Sequence, residues 1–169
     1  MKTAHTIVTV LIFLTSCKKE VESYIHSGLE IYSTKIPYYS WNFDYNSVNL
    51  DTVQLSEVPV LHYSDLIKYD TLTHKLTLAI SHDSLQIDNV MELGEVFVLT
   101  LNKEPIYCGF RWPMNYSNPP PPWVFIEEPL PFDKLQENEI VISYESTPAK
   151  DPRLDKRIID RLKKDGKIE

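Results

Sequence analysis

The residues best suited to acid–base or metal chemistry are His62, His74 and His82, with Asp70 and Asp83 close by in sequence. Imidazole titrates near neutrality and ligates transition metals, so such a group invites both readings. Spacing argues against a shared ion. His74 and His82 bracket one strand-like run, and at about 3.3 Å per residue their Cα atoms stand roughly 26 Å apart when it is extended. They read as solvated histidines at strand ends. Asp44, Asp51, Glu127 and Glu128 offer acid pairs of the kind used in glycoside hydrolysis, but any acidic chain offers such pairs. Four glycines form no phosphate-cradling loop, and there is no Gly-x-Ser-x-Gly elbow. The sequence therefore assigns no catalytic residue, no metal site and no cofactor.

A second set of residues suits recognition. Tyr38, Tyr39, Trp41, Phe43 and Tyr45 place an aromatic at every second position from Tyr39 onward. In a strand that spacing puts the rings on one face, either in the core or as an exposed strip for sugar or peptide. Tyr38, Tyr39, Trp41, Tyr45, Tyr116 and Trp123 are the candidate binding residues.

Only two cysteines occur, Cys17 and Cys108. Cys108 lies between Tyr107 and Gly109 in an apolar stretch and reads as a small buried hydrophobe. Cys17 has a different context. Lys2 supplies a positive start, and Thr6 to Leu14 form an apolar run of a secretory signal, far shorter than the roughly 20 residues of a spanning helix. Leu14-Thr15-Ser16-Cys17 then resembles the lipobox of bacterial lipoproteins. The resemblance implies diacylglyceryl transfer to the Cys17 thiol, cleavage just before it, and membrane attachment through the lipid. Each buried methylene contributes about 0.8 kcal/mol, so two or three acyl chains make attachment effectively permanent. Lys18 after the cysteine is the pattern of Gram-negative lipoproteins that leave the inner membrane. The run Cys17 to Glu22 is also similar to the export tag of Bacteroidetes surface lipoproteins. In a Gram-negative host the outer membrane is the expected location.

The elements that must carry these residues follow from pattern. A net charge of −7, with 43% hydrophobic and 24% charged residues, fits a globular chain and argues against nucleic acid as a partner. Residues 1–16 read as signal peptide, 17–28 as lipidated cysteine and tether, and 29–169 as one α+β domain. Leu29 to Tyr32 alternate as a half-buried strand. Ser64 reads as an N-cap, with Asp65 to Tyr69 forming one or two helical turns. His74 to Ser81 alternates strongly as a strand, and Ser84 to Met91 reads as a short helix or turn. Glu95 to Leu101 and Pro105 to Trp112, separated by Asn102-Lys103-Glu104, predict a hairpin. Pro119 to Pro122 must be extended and superficial, in a stiff loop from Met114 to Pro122. Trp123 to Ile126 and Glu139 to Tyr144 give two more strands. A C-terminal helix is capped by Asp151, has Pro152 in its first turn and ends at Gly166; Leu154, Ile158 and Leu162 form its apolar stripe, with Asp160 and Lys164 as a wet-face pair. The fold class is one mainly antiparallel sheet with a central hairpin, one or two short helices, and the C-terminal helix packed on the sheet.

Pro59 to Tyr69, His74 to Ile80 and Val96 to Glu127 resemble, in sequence and order, the head subdomain of the first periplasmic region of the protein-export subunit SecD. The resemblance implies a turn and short helix, a strand, a helix, a hairpin and a further strand. His62-Tyr63 replaces the Thr-Gly of that family's turn, and the export-motor function is not carried over. The functional expectation is a membrane-tethered, non-enzymatic module for an envelope protein or glycan. A small envelope hydrolase using acidic residues, or an inhibitor or immunity-type protein presenting the Met114–Pro122 loop, are the alternatives.

Overall fold

Short runs rich in β-branched, aromatic and other apolar residues produce seven strands in the computed structural model. It describes residues 28–34, 47–85, 95–113, 123–128, 135–145 and 150–168, with 113, 127 and 128 described for their backbone only. The strands are β1 (Leu29–Ser33), β2 (Leu66–Tyr69), β3 (Lys75–Leu78), β4 (Val96–Leu101), β5 (Glu104–Pro113), β6 (Val124–Glu128) and β7 (Glu139–Tyr144). One helix, α1 (Lys156–Lys164), and short 3-10 turns at Tyr63–Asp65, His82–Leu85 and Pro152–Leu154 complete the described elements. The strands form one sheet in the order β1-β4-β5-β6-β7-β3-β2, antiparallel throughout except for β5 beside β6. This is an α+β fold, as its patterning predicts.

The hairpin β4–β5 is central in chain order and its turn is tight. Asn102 and Lys103 sit at φ 53° and 68°, the left-handed pair that matches the twist of two antiparallel strands. A bulge between Leu99 and Thr100 follows, bringing Ile106 and Tyr107 together into the core. Opposite Phe97 stands Gly109, where a Cβ would lie 2.4 Å from the Phe97 ring and 2.9 Å from the Val124 carbonyl. The ring covers the glycine, which is why no larger residue fits there.

The sheet curls so that its two ends meet through one short segment. Along the outer edge of β1, Ile31 N donates to Leu61 O at 3.1 Å and Val60 N donates to Ile31 O at 2.7 Å. The chain then turns at Tyr63–Asp65 and enters β2 at the opposite end of the sheet. The far side of β2 is met by Lys167 and Ile168, with Tyr69 N donating to Lys167 O at 2.8 Å. Both terminal strands are thus covered, removing much of the open edge that invites association.

The inside of the curl holds the main core, with Leu29 and Ile31, Leu66 and Tyr69, Leu76 and Leu78, Phe97 and Leu99, and Ile140 and Ile142 all buried. Ile158 and Leu162 of α1 pack into it, so the helix lies on the sheet. The other face carries a smaller core of Val96, Val98, Cys108, Phe110, Trp112 and Phe125, packed by Val48, Leu50, Val53 and Leu55. That cover explains a departure from the expected half-buried β1: every residue of the strand is buried. Glu30 accepts the Tyr32 hydroxyl at 2.8 Å, and burial, then this carboxylate, raises the Tyr32 pKa.

Two expected helical features are corrected. Leu66 to Tyr69 is strand β2, not helix. The C-terminal helix is divided: Asp151 caps the 3-10 turn through Arg153 N at 3.0 Å, and Asp155 caps α1 itself through Arg157 N at 2.9 Å. Each aspartate begins its own turn, so Leu154 falls in the joint and is 46% exposed instead of joining the stripe. Asp160 pairs with Lys156, one turn before it, instead of the expected Lys164 one turn after it.

Candidate functional site

The three sequence-predicted histidines do not converge. His82 Nε2 pairs with Asp83 at 2.9 Å, while its Nδ1 meets the Glu137 carbonyl at 2.8 Å. His62 lies beside the 3-10 turn, and His74 lies in a separate network at the β2–β3 turn. Among the described residues, no group of three or more His, Cys, Asp or Glu side chains is placed to hold a metal ion.

The His74 network is built by a turn that closes on Asp70. Its carboxylate accepts from Leu72 N at 2.7 Å, Thr73 N at 3.2 Å and the Thr73 hydroxyl at 2.6 Å. The chain exits through His74 at φ 57°, a left-handed conformation unusual for a non-glycine residue. This geometry brings the Tyr69 hydroxyl to 2.6 Å from His74 Nδ1. His74 Nε2 faces Asp151 at 3.9 Å, and Arg153 holds Asp151 through Nη2 at 2.7 Å and Nε at 3.0 Å. Arg153 Nη1 also donates to Ile142 O at 2.7 Å, and its guanidinium lies over the Tyr144 ring.

Electrostatics keep both rings neutral. Burial lowers the His74 pKa and the Arg153 charge lowers it further, against the opposing pull of Asp151 and Asp70. Burial likewise raises the Tyr69 and Tyr107 hydroxyls. Burial alone would raise Asp151, but hydrogen bonds from Arg153 outweigh it and hold the carboxyl below its ordinary value. Tyr69 is only 4% exposed, so the constellation presents no ionised nucleophile to a substrate. It fastens the β2–β3 turn to the segment that follows β7. Sequence reading singled out His74 without its partners, since Asp151 reads locally as a helix cap. The one local signal was the Asp70 to His74 turn, which makes Tyr69 and His74 flank a tight reversal.

A cleft of about 540 Å³ opens at the seam where the sheet ends approach each other. Val58, Val60, Ile80 and Leu85 supply its apolar walls, and Ser33, Ser56 and Ser84 supply hydroxyls. Its charged lining is Glu57 and Asp65, with His62 between them in the chain. The walls are held by main-chain bonds: Ser56 N donates to Ser33 O at 2.9 Å, and Ala79 N donates to Asp65 O at 2.7 Å. Val58 stands 65% exposed at the mouth. Sequence reading passed over this site because its lining comes from four separated stretches, none carrying a motif.

Next to the cleft, Tyr63 is clamped against the region around α1. Its hydroxyl donates to Asp165 at 2.6 Å, while Arg161 and Lys167 lie over the ring at 5.3 and 4.4 Å from its centre. Burial, then the Asp165 carboxylate, pushes the hydroxyl pKa up to about 12.

The remaining sequence candidates are placed as follows. Cys17, Tyr38, Tyr39, Trp41, Tyr45, Tyr116, Asp44 and the four prolines lie outside the described residues. Trp123 is half-buried between the two cores, with Nε1 donating to Cys108 O at 2.8 Å and its ring edge-on to Tyr144. The Cys108 thiol is buried, which pushes its pKa up to about 11 and leaves it a poor nucleophile. Asp51 is exposed, and its backbone N–H donates to the Asn49 side chain; Glu127 and Glu128 close β6.

Comparison with known proteins adds no relative: no family model, no curated protein and no solved structure matches this chain.

Proposed function

We propose that this chain is a lipid-anchored protein of the bacterial cell envelope that acts as a non-enzymatic binding module, with the seam cleft as its recognition site. The observation that carries the binding role is the cleft itself, a preformed concavity with apolar walls and a few polar groups. The lipobox-like Leu14-Thr15-Ser16-Cys17 supports the anchor. Among the described residues no helix is long and apolar enough to cross a membrane. In this reading lipid on Cys17 supplies the attachment.

Two experiments test the two halves. Cells grown with a clickable fatty acid should label the wild type, and Cys17→Ser should lose both label and membrane fractionation. Retention of full label in that variant overturns the anchor. A photo-reactive residue at Val58 should cross-link one discrete envelope component, and the same probe at the remote exposed Leu72 should not. Equal yields from both positions overturn the cleft as the recognition site.

A further inference from the structure

We infer that the seam cleft selects a cationic, aliphatic peptide segment: a Lys or Arg side chain beside a Leu- or Val-sized one. This rests on the binding-module reading and adds the chemistry of the partner. Val58, Val60, Ile80 and Leu85 form a wall that gains only from burying apolar surface. Among the described residues, the full charges in the lining are two carboxylates, Glu57 and Asp65, with no Lys or Arg. The cation that flanks this turn, Lys167, donates its ammonium to the carbonyls of Tyr63 and Leu66 and lies over the Tyr63 ring. It senses Asp65 but is engaged with those groups. An entering ammonium or guanidinium would meet the carboxylates of Glu57 and Asp65 while its aliphatic neighbour covers the wall. An anionic segment would be repelled by both carboxylates and by the chain's net charge of −7.

The backbone also limits how such a segment binds. The β1 edge beside the cleft is already bonded to residues 56–61, through Ser33 O and both main-chain groups of Ile31. A partner therefore does not add a strand there, and its side chains carry the recognition. This separates the cleft from strand-addition sites, where sequence matters less than an extended backbone.

The test uses fluorescence polarisation with a labelled hexapeptide of alternating leucine and lysine, alongside its leucine–glutamate and leucine–serine counterparts. The lysine peptide should bind the wild type and lose affinity as salt is raised. Glu57→Gln with Asp65→Asn should weaken it about tenfold, the scale of two partly exposed ion pairs. Glu57→Lys should reverse the preference toward the glutamate peptide. Unchanged thermal midpoints in these variants tie the losses to the cleft. Equal binding of all three peptides, or lysine-peptide binding indifferent to both variants, overturns the charge selection. Cross-linking at Val58 to a partner segment that lacks Lys and Arg would also overturn it, while leaving the binding-module reading intact.

Discussion

The Tyr69 hydroxyl lies 2.6 Å from His74 Nδ1, and this contact couples the ring's tautomer to the direction of the hydrogen bond. With the hydroxyl as donor, the imidazole proton sits on Nε2, facing Asp151 at 3.9 Å. Because burial lowers the His74 pKa, the fold holds a neutral ring. The unfolded chain takes up the proton first as pH falls below about 6.5. Stability present above that pH is therefore lost on acidification, until the folded ring is itself protonated. Asp151, also held low, adds a loss in the same direction at more acid pH. His74→Asn tolerates the left-handed backbone and cannot titrate. It should cost about 1–2 kcal/mol at neutral pH through the Tyr69 bond, and flatten the change in thermal midpoint between pH 7.5 and 5. A full wild-type pH dependence in that variant would remove His74 as its source.

Gly109 should accept no side chain. Gly109→Ala places a methyl within 2.4 Å of the Phe97 ring and is expected to destabilise by about 2 kcal/mol, read from urea midpoints. Pairing it with Phe97→Leu should recover part of that loss, and a double-mutant cycle gives the coupling directly.

The hairpin turn offers a stabilising change. Lys103 carries a left-handed φ of 68° after Asn102, and Lys103→Gly completes the favoured Asn-Gly pair. The gain should be about 0.5 kcal/mol after the greater freedom of glycine in the unfolded chain is counted. Lys103→Val should lose about 1 kcal/mol or more at the same site, since a β-branched residue resists this conformation.

Tyr63 separates two kinds of contact. Tyr63→Phe removes the hydrogen bond to Asp165 but leaves Arg161 and Lys167 over a ring, and should cost about 0.5–1 kcal/mol. Tyr63→Leu removes both and should cost about 1 kcal/mol more. Similar denaturation midpoints for the two variants would show that the cations contribute little.

Patterning alone places several elements closely. Glu139–Tyr144 is read as a strand to its observed bounds, and the β4–β5 hairpin turns within the expected Asn102-Lys103-Glu104, at Asn102 and Lys103. Leu66 to Tyr69 misleads for a physical reason. Its two buried residues are three apart, as on a helix, because the register shifts between Leu66 and Lys68 and restores both to one face of a strand. The parallel contact of β5 with β6 has no local signature. The same holds for the cleft and the His74 network, whose members meet only after strands distant in sequence have paired. Trp123 shows a further limit: residue type marks it as a recognition aromatic, while its indole N–H is bonded to Cys108 O inside the sheet.

The closure of β2 by Lys167 and Ile168 also bears on the order in which the molecule assembles. Four of the six strand pairings join consecutive strands, but β1 waits for β4, β3 for β7, and Tyr69 for Ile168. Those distant contacts form late, because long loops must close before they are made. A chain emerging from its N-terminal end would hold β2 and the Tyr63 clamp incomplete until residues 161–168 had appeared. The outer side of β2 and the Tyr63 clamp are thus the parts of the sheet's closure that depend on the last residues of the α1 region.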